Sequence, residues 1–361
     1  MFDAEIEIDD WATRNEHWRN LSTLAVGPRN RRARRSEPLI LCGHGVSMRI
    51  DKGTLLIRDG LTHYPQEKSN FRFFRGDNSL PERIIMVDGS GSLTFDVLSW
   101  LGEQGVALIH VDWRGEVLSV MGNHGFAADR QKVQWQMDTC ADPARRLAFS
   151  NDLVVRKLEN SIVALNSALA VSPRRDAAIV KAHTAINQIK FNPPADMTCL
   201  RHIEATSARV YFGAWRGLEI RWKATGRQPI PDRWRAFETR TSIANGLKDK
   251  NVNASDPLNA MLNYAYGVLQ CRLQIGAVAD GFDPTIGIMH HARRDAAAYV
   301  FDLMEPERPK VDAAILAFVA ANTFSGADFT IREDGVCRLS PQLARVVCAL
   351  ADATPSVAAR H

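Results

Sequence analysis

The hydrophobic period of this chain changes at Asp142-Pro143, and no single architecture satisfies both halves. Upstream, from Pro38 to about Asp138, apolar residues come in short alternating runs cut by turn residues. The run LILCGHGVSMRIDKGTLLIRDG alternates on both sides of an Asp51-Lys52-Gly53 turn. The stretch ERIIMVDGSGSLTFDVLSWLGEQGVALIHVDWRGEVLSVMG continues with strands, a short helix near Asp96 to Gln104 and a hairpin at Trp113, Arg114 and Gly115. Downstream, Asp142 is placed to cap a helix and Pro143 to be its first residue. Leu147, Val154, Leu158, Ile162 and Leu165 then fall on one stripe, and DPLNAMLNYAYGVLQCRLQIGAVADG and KVDAAILAFVAANTF behave alike. A chain of 361 residues is long enough for two such units. The expected fold is therefore α+β, with a β-rich domain over residues 38–138 and a larger all-α domain over residues 139–361.

Residues 1–37 form a charged N-terminal extension, acidic first and then basic through RNRRARR, with Arg29, Arg31, Arg32, Arg34 and Arg35. Trp11 and Trp18 offer docking side chains, but apolar content is too low for a core. A solvated arm is the expectation, and an arm that touches nucleic acid the alternative. Lys223 to Ser255, rich in polar residues, Pro and Gly, reads as a mobile loop. Gly43-His44-Gly45 and Gly89-Ser90-Gly91 complete neither a dinucleotide fingerprint nor a P-loop and read as tight turns.

Composition narrows the chemistry. Six cysteines, none in a C-x-x-C pair, read as reduced thiols and argue against zinc. The N-terminus is acidic where a secretory signal would be basic, and no segment has the length to span a bilayer, so a cytoplasmic protein without membrane contact is expected. A net charge of +4 is mild, so binding to a polyanion must come from local clusters.

One such cluster lies in GIMHHARRDAAAYVFDLMEPERP, Gly287 to Pro309. Asp302 and Glu305 are three residues apart, on one face if helical, with His290 or His291 approaching from the preceding turn. Imidazole and carboxylate without thiolate suit a hard divalent cation, Mn2+ or Mg2+. Pro306 biases Glu305 away from helical geometry, so the two acids straddle a kink. Upstream, Glu204 sits mid-helix among Ile203, Val210 and Ala214, with Arg201 and Arg209 nearby. By itself it reads as a surface ion pair.

Five blocks occur in order: RKLENSI (Arg156 to Ile162), IEATSARVYF (Ile203 to Phe212), DPLNAMLNYAYGVL (Asp256 to Leu269), GFDPTIGIMH (Gly281 to His290) and DLMEPERPKVD (Asp302 to Asp312). This succession resembles the CRISPR-associated integrase of spacer acquisition, the catalytic member of the adaptation pair, also called an endonuclease. The likeness runs from about Pro38 to Ala344. It implies a β-domain joined to a helical catalytic domain, with Glu204, His290 and Glu305 as catalytic metal ligands. Asp302 would be a fourth ligand or a supporting group. It also implies DNA near Tyr266, for which a packed core tyrosine is the other reading. Arg201, Arg209, Arg293, Arg294 and Arg308 flank these blocks and are candidate phosphate contacts. Ala205 and Glu307 depart from the family's usual Gly and aromatic.

The resemblance implies metal-dependent phosphodiester transfer on duplex and branched DNA. A DNA 3′ hydroxyl as nucleophile makes the enzyme an integrase, and water makes it a nuclease. It further implies a homodimer working with a small ferredoxin-like adaptation partner. The alternatives are a transposon-type integrase or branched-DNA repair nuclease outside CRISPR, and a DNA-binding scaffold that has lost catalysis.

Overall fold

The structure, a computed structural model, describes residues 9–24, 37–122, 128–223, 227–240, 242–244, 247–249, 253–290 and 296–354. After a first helix α1 (Trp11–Leu24), six strands build one sheet: β1 (Leu39–Asp51), β2 (Thr54–Arg58), β3 (Asn70–Phe73), β4 (Arg83–Leu93), β5 (Ala107–Val111) and β6 (Val117–Met121). Its order is β3-β2-β1-β4-β5-β6. Hairpins make β1–β2, β2–β3 and β5–β6 antiparallel, whereas β1–β4 and β4–β5 are parallel. A parallel neighbour needs a crossover, and α2 (Phe95–Glu103) supplies the one between β4 and β5. Leu41, Leu55, Ile84, Trp100 and Leu101 are buried between this helix and the sheet.

The two glycine clusters are not turns. Gly43 (φ 87°) and Gly45 (φ 80°) lie inside β1, where the pairing with β4 shifts register; Gly89 stands opposite Gly43, and Gly91 opposite Val46. A Cβ on Gly91 would lie 2.0 Å from the Val46 carbonyl oxygen. The glycines let a long parallel pair bulge and approach closely, a use that punctuation of the hydrophobic pattern does not distinguish from a turn.

The helical half consists of α3 (Arg130–Ala141), α4 (Pro143–Ala168), α5 (Pro173–Phe191), α6 (Met197–Gly213), α7 (Pro257–Ala279), α8 (Ala298–Met304), α9 (Arg308–Ala321) and α10 (Pro341–Ala353). Asp142 caps α4 as expected, accepting bonds from the amides of Ala144 and Arg145 with Pro143 in the first turn. Helix α7 is apolar nearly all round, and Leu258, Met261, Leu262, Tyr264, Ala265, Val268 and Leu269 are all buried. That pattern belongs to a helix enclosed by others, and α7 is the central rod of the domain. Two short hairpins, β7 (Ser242–Ala244) with β8 (Leu247–Asp249) and β9 (Phe329–Ile331) with β10 (Cys337–Leu339), interrupt the helices.

Close backbone contact seats the sheet on this rod, and ion pairs tie it to α10 and β10. Gly115 at the β5–β6 tip has φ 82°, and a Cβ there would lie 2.4 Å from the Asn263 carbonyl carbon on α7. Across the same junction, a Cβ on Gly267 would lie 2.1 Å from the Gly115 oxygen. Arg83 meets Asp352 at 2.8 Å, Arg338 meets Asp88 at 2.6 Å, and Arg345 bonds Asp59.

Two expectations are corrected here. The extension is not a solvated arm between Trp11 and Leu24. Trp18 is fully buried against Phe318 and Phe324, with ring centroids 5.6 Å away in both cases. Arg14 forks onto both oxygens of Asp328 at 2.9 Å, and the Trp18 indole donates to the same carboxylate at 2.8 Å. Low average apolar content hid this docking because one large ring and a paired guanidinium carry it. The basic run Arg29 to Arg35 lies outside the described residues. Likewise, the expected mobile loop is pinned where it is described, by Trp234 and Phe237 in the main core. Among the described residues no helix is long and apolar enough to cross a membrane.

Removing the Trp18 ring leaves a cavity beside a charge pair that it helps to bury. Trp18→Ala should lower unfolding free energy by about 3–5 kcal/mol, read as a shifted urea midpoint. An unshifted midpoint would mean that α1 is not part of the folded core.

Candidate metal centre

Three elements bring the sequence blocks together. Helix α4 contributes Lys157, α6 contributes Glu204, and the break between α8 and α9 contributes Glu305. The chain stops being regular helix at Met304 and resumes at Arg308, as Pro306 requires. Glu305 itself nevertheless keeps right-handed helical angles, φ −54° and ψ −50°, contrary to the expected bias. The break turns its side chain inward, and the residue is 2% exposed.

Lys157 Nζ donates to Glu204 Oε1 and to Glu305 Oε2, both at 2.6 Å. Arg308 takes the other oxygen of Glu305 at 2.7 Å. Burial alone would raise the Glu305 carboxyl, but Arg308 and Lys157 outweigh it and hold the group down at about 2. Burial would conversely lower Lys157, and Glu305 and Glu204 reverse that, so the ammonium is held above its ordinary value. The Glu305 carboxylate and the bridging ammonium are therefore charged at neutral pH.

His290 follows a segment whose backbone is tied down on both sides. Gln136 of α3 donates to the carbonyls of Asp283 and Ile286, and Arg146 of α4 donates to that of Ile288 at 2.7 Å. Asp302, fully buried on α8, accepts from the amides of Ile288, Met289 and His290 at 2.6, 3.0 and 2.9 Å. The same carboxylate meets His290 Nδ1 at 2.7 Å. A carboxylate can only accept, so Nδ1 is the donor in that contact, and Nε2 lies 3.9 Å from Glu305 Oε1. With both oxygens engaged, Asp302 orients the imidazole and has no lone pair aimed between the two glutamates.

The donor set of two carboxylates and one imidazole fits a hard divalent ion. Among the described residues, however, no three imidazole, thiol or carboxyl groups close on one point as they stand. An ammonium stands between Glu204 and Glu305 instead, the position where those two acids are best placed to hold a cation. The residues fit the ion, with Lys157 as its stand-in.

Beside the centre opens a cavity of about 600 Å³, lined by Lys157, Glu204, Tyr211, Arg240, Tyr266 and Arg308 among others. On its wall, buried Asp312 accepts from the hydroxyls of Tyr211, at 2.9 Å, and Tyr266. The guanidinium carbons of Arg240 and Arg308 each sit 5.6 Å from the centre of the Tyr266 ring. Tyr266 is thus packed by its hydroxyl yet remains part of the cavity wall.

The remaining candidates separate. Arg201 and Arg209 are exposed on α6, and Arg201 also reaches the Met289 carbonyl at 3.4 Å. Arg308 is committed to Glu305 and Tyr266. His291, Arg293 and Arg294 lie outside the described residues. Sequence reasoning missed Lys157, Asp312, Arg146 and Arg240. For Lys157 a signal existed: Leu153, Val154, Leu158 and Ser161 are buried on α4, and a lysine at the same helical spacing stands within that buried face.

Three kinds of likeness accompany this geometry. The family model described as CRISPR associated protein Cas1 matches residues 43–352. A CRISPR-associated endonuclease Cas1 of Methanospirillum hungatei is 26% identical over 263 residues, covering 71% of this chain and 70% of that protein. Among solved structures, a casposase bound to its integration product superposes with a TM-score of 0.69 at 22% identity, covering 88% of this chain and 82% of its own. A Cas6-RT-Cas1–Cas2 complex contains a chain that matches with a TM-score of 0.66 at 16% identity, over 93% of this chain and 34% of the longer one. Identities this low make the structural likenesses statements about fold.

Asp312 gives the site a measurable pH signature. Burial lifts it from 3.8 to about 6, against the bonds from Tyr266 and Tyr211 that pull it down. A folded-state value above the unfolded one contributes stability that is fully present below about pH 3.8 and is lost as pH rises through about 6. Asp312→Asn should flatten the fall in unfolding free energy across that window, measured by denaturant titration at each pH. Identical slopes in both proteins would contradict this assignment.

Proposed function

We propose that this chain, which belongs to the CRISPR-associated protein Cas1 family, breaks and joins DNA strands to insert new spacers into a repeat array. The observation that carries the reading is that Lys157 bridges Glu204 and Glu305, while His290 Nε2 lies 3.9 Å from the other oxygen of Glu305 and Asp302 fixes the imidazole. In this reading those three side chains hold Mg2+ or Mn2+, which when bound supplies Lewis-acid stabilisation of charge at the reacting phosphate.

The protein's own groups do the rest. Asp302 keeps the proton on Nδ1, so Nε2 stays a lone-pair donor throughout the reaction. Arg308 offsets the charge of Glu305 through the oxygen that Lys157 does not hold. Exposed Arg201 and Arg209, together with Arg293 and Arg294, bind backbone phosphates and set the strand in register. The cavity wall of Tyr266 and Arg240 receives the nucleotide next to the reacting bond. A DNA 3′ hydroxyl in line with the leaving oxygen gives integration, and water in the same place gives cleavage. The working unit in this reading is a cytoplasmic homodimer with a small ferredoxin-like partner; a Cas1-containing solved structure is named for a complex with Cas2.

A second reading keeps the chemistry and changes the target. In it the chain is a transposon-type integrase working outside a repeat array, and the solved structure of similar fold named as a casposase bound to its integration product is consistent with integration. Comparison of a repeat-containing acceptor with an unrelated acceptor duplex separates the two.

Strand transfer of a labelled branched half-site with Mn2+ or Mg2+ tests the site. Glu204→Ala should lose at least about a hundredfold in turnover with the fold intact, and wild-type turnover in that variant would refute the assignment. Asp302→Asn should lose about ten- to a hundredfold, with part of the loss recovered at higher Mn2+, because it loosens the histidine but leaves every ligand in place. A loss equal to that of Glu204→Ala and insensitive to Mn2+ would make Asp302 more than an orienting group.

A further inference from the structure

Lys157 is unlike the other cations of this site. Arg308 flanks Glu305 on one oxygen, whereas the Lys157 ammonium lies between two acids on different helices, 2.6 Å from each. A divalent ion would need the same lone pairs at about 2.0–2.2 Å, too close to the ammonium for both cations to remain. Arg308 still accompanies Glu305 when Lys157 leaves, so departure does not strip that buried acid of its partner. Room to leave exists, since Lys157 lines the cavity of about 600 Å³ and carries a flexible four-carbon stem.

We propose that Lys157 is an internal counter-ion that holds Glu204 and Glu305 together in the metal-free protein and is exchanged for the divalent ion when it binds. This rests on the proposed ion site of Glu204, His290 and Glu305. The exchange keeps two like charges from forcing the helices apart before the ion arrives. It also lowers the apparent affinity for metal, which is scaled by the fraction of time that the ammonium leaves the site free. The glutamates are thus prearranged at a cost in metal affinity, and the ion must outcompete a tethered monovalent cation.

The test uses full-length protein stripped of metal and titrated with Mn2+ alone, with free Mn2+ read by electron paramagnetic resonance. Lys157→Gln should bind Mn2+ with a Kd about tenfold lower than wild type. Its melting temperature should be lower than that of wild type without metal and rise further on Mn2+ addition. An unchanged or higher Kd in Lys157→Gln, with binding abolished by Glu204→Gln, would overturn the exchange and leave the ion site standing. Absence of a specific Mn2+ site in wild type and both variants would overturn the exchange and the ion site together. An independent arm needs no variant: carbamylation of Lys157 by cyanate, read by peptide mass spectrometry, should increase when Mn2+ is added. Equal modification with and without Mn2+ would contradict release of the ammonium.

Discussion

Glu204 and Glu305 are two negative charges in a partly closed cleft, and much of the surrounding structure answers their repulsion. Oxygens that each lie 2.6 Å from one nitrogen are separated by no more than about 5 Å. Two unit charges near that distance repel by about 3–4 kcal/mol at the effective dielectric of a protein surface. A cation between them turns this into net attraction; Lys157 provides it from α4, while Arg308 at the start of α9 flanks Glu305. The helices α4, α6, α8 and α9 are therefore joined through their charges as well as through their apolar faces. The same arrangement makes the site receptive to a stronger cation.

The second constraint is orientation. His290 lies outside regular helix, where an imidazole would ordinarily sample several rotamers. Asp302 removes that freedom by binding three consecutive backbone amides and the ring at once. Gln136 and Arg146 hold the carbonyls on the other side of the loop. Precision at the centre thus derives from α3, α4 and α8, which are long or well buried. Behind them the sheet is seated on α7 through Gly115 and Gly267, and this places the Arg114 hairpin on the cavity rim.

Much of this was legible in the residues. The change of period at Asp142-Pro143 marked the first long helix, and the i,i+3 spacing of Asp302 and Glu305 marked the acidic pair. The five ordered blocks brought Glu204 into the same account, which its local surroundings did not. What stayed hidden depends on partners distant in sequence. Arg14 and Trp18 become core residues only through Asp328, some three hundred positions away. Asp312 reads as a helix-surface acid until Tyr211 and Tyr266 enclose it. Lys157 looks like an interruption of an apolar stripe, and its meaning appears only when two acids from other helices reach it. Glycine clusters were ambiguous for a different reason, since a bulge and a turn ask for the same freedom at φ.

The central claim is that Glu204, His290 and Glu305 share one divalent ion. Anomalous diffraction from crystals soaked in Mn2+ tests it most directly. The account predicts a single anomalous peak within bonding distance of both glutamates and His290 Nε2, with Asp302 still on Nδ1 and the Lys157 ammonium withdrawn. A peak elsewhere, or none while Lys157 still bridges the two acids at saturating Mn2+, would contradict it.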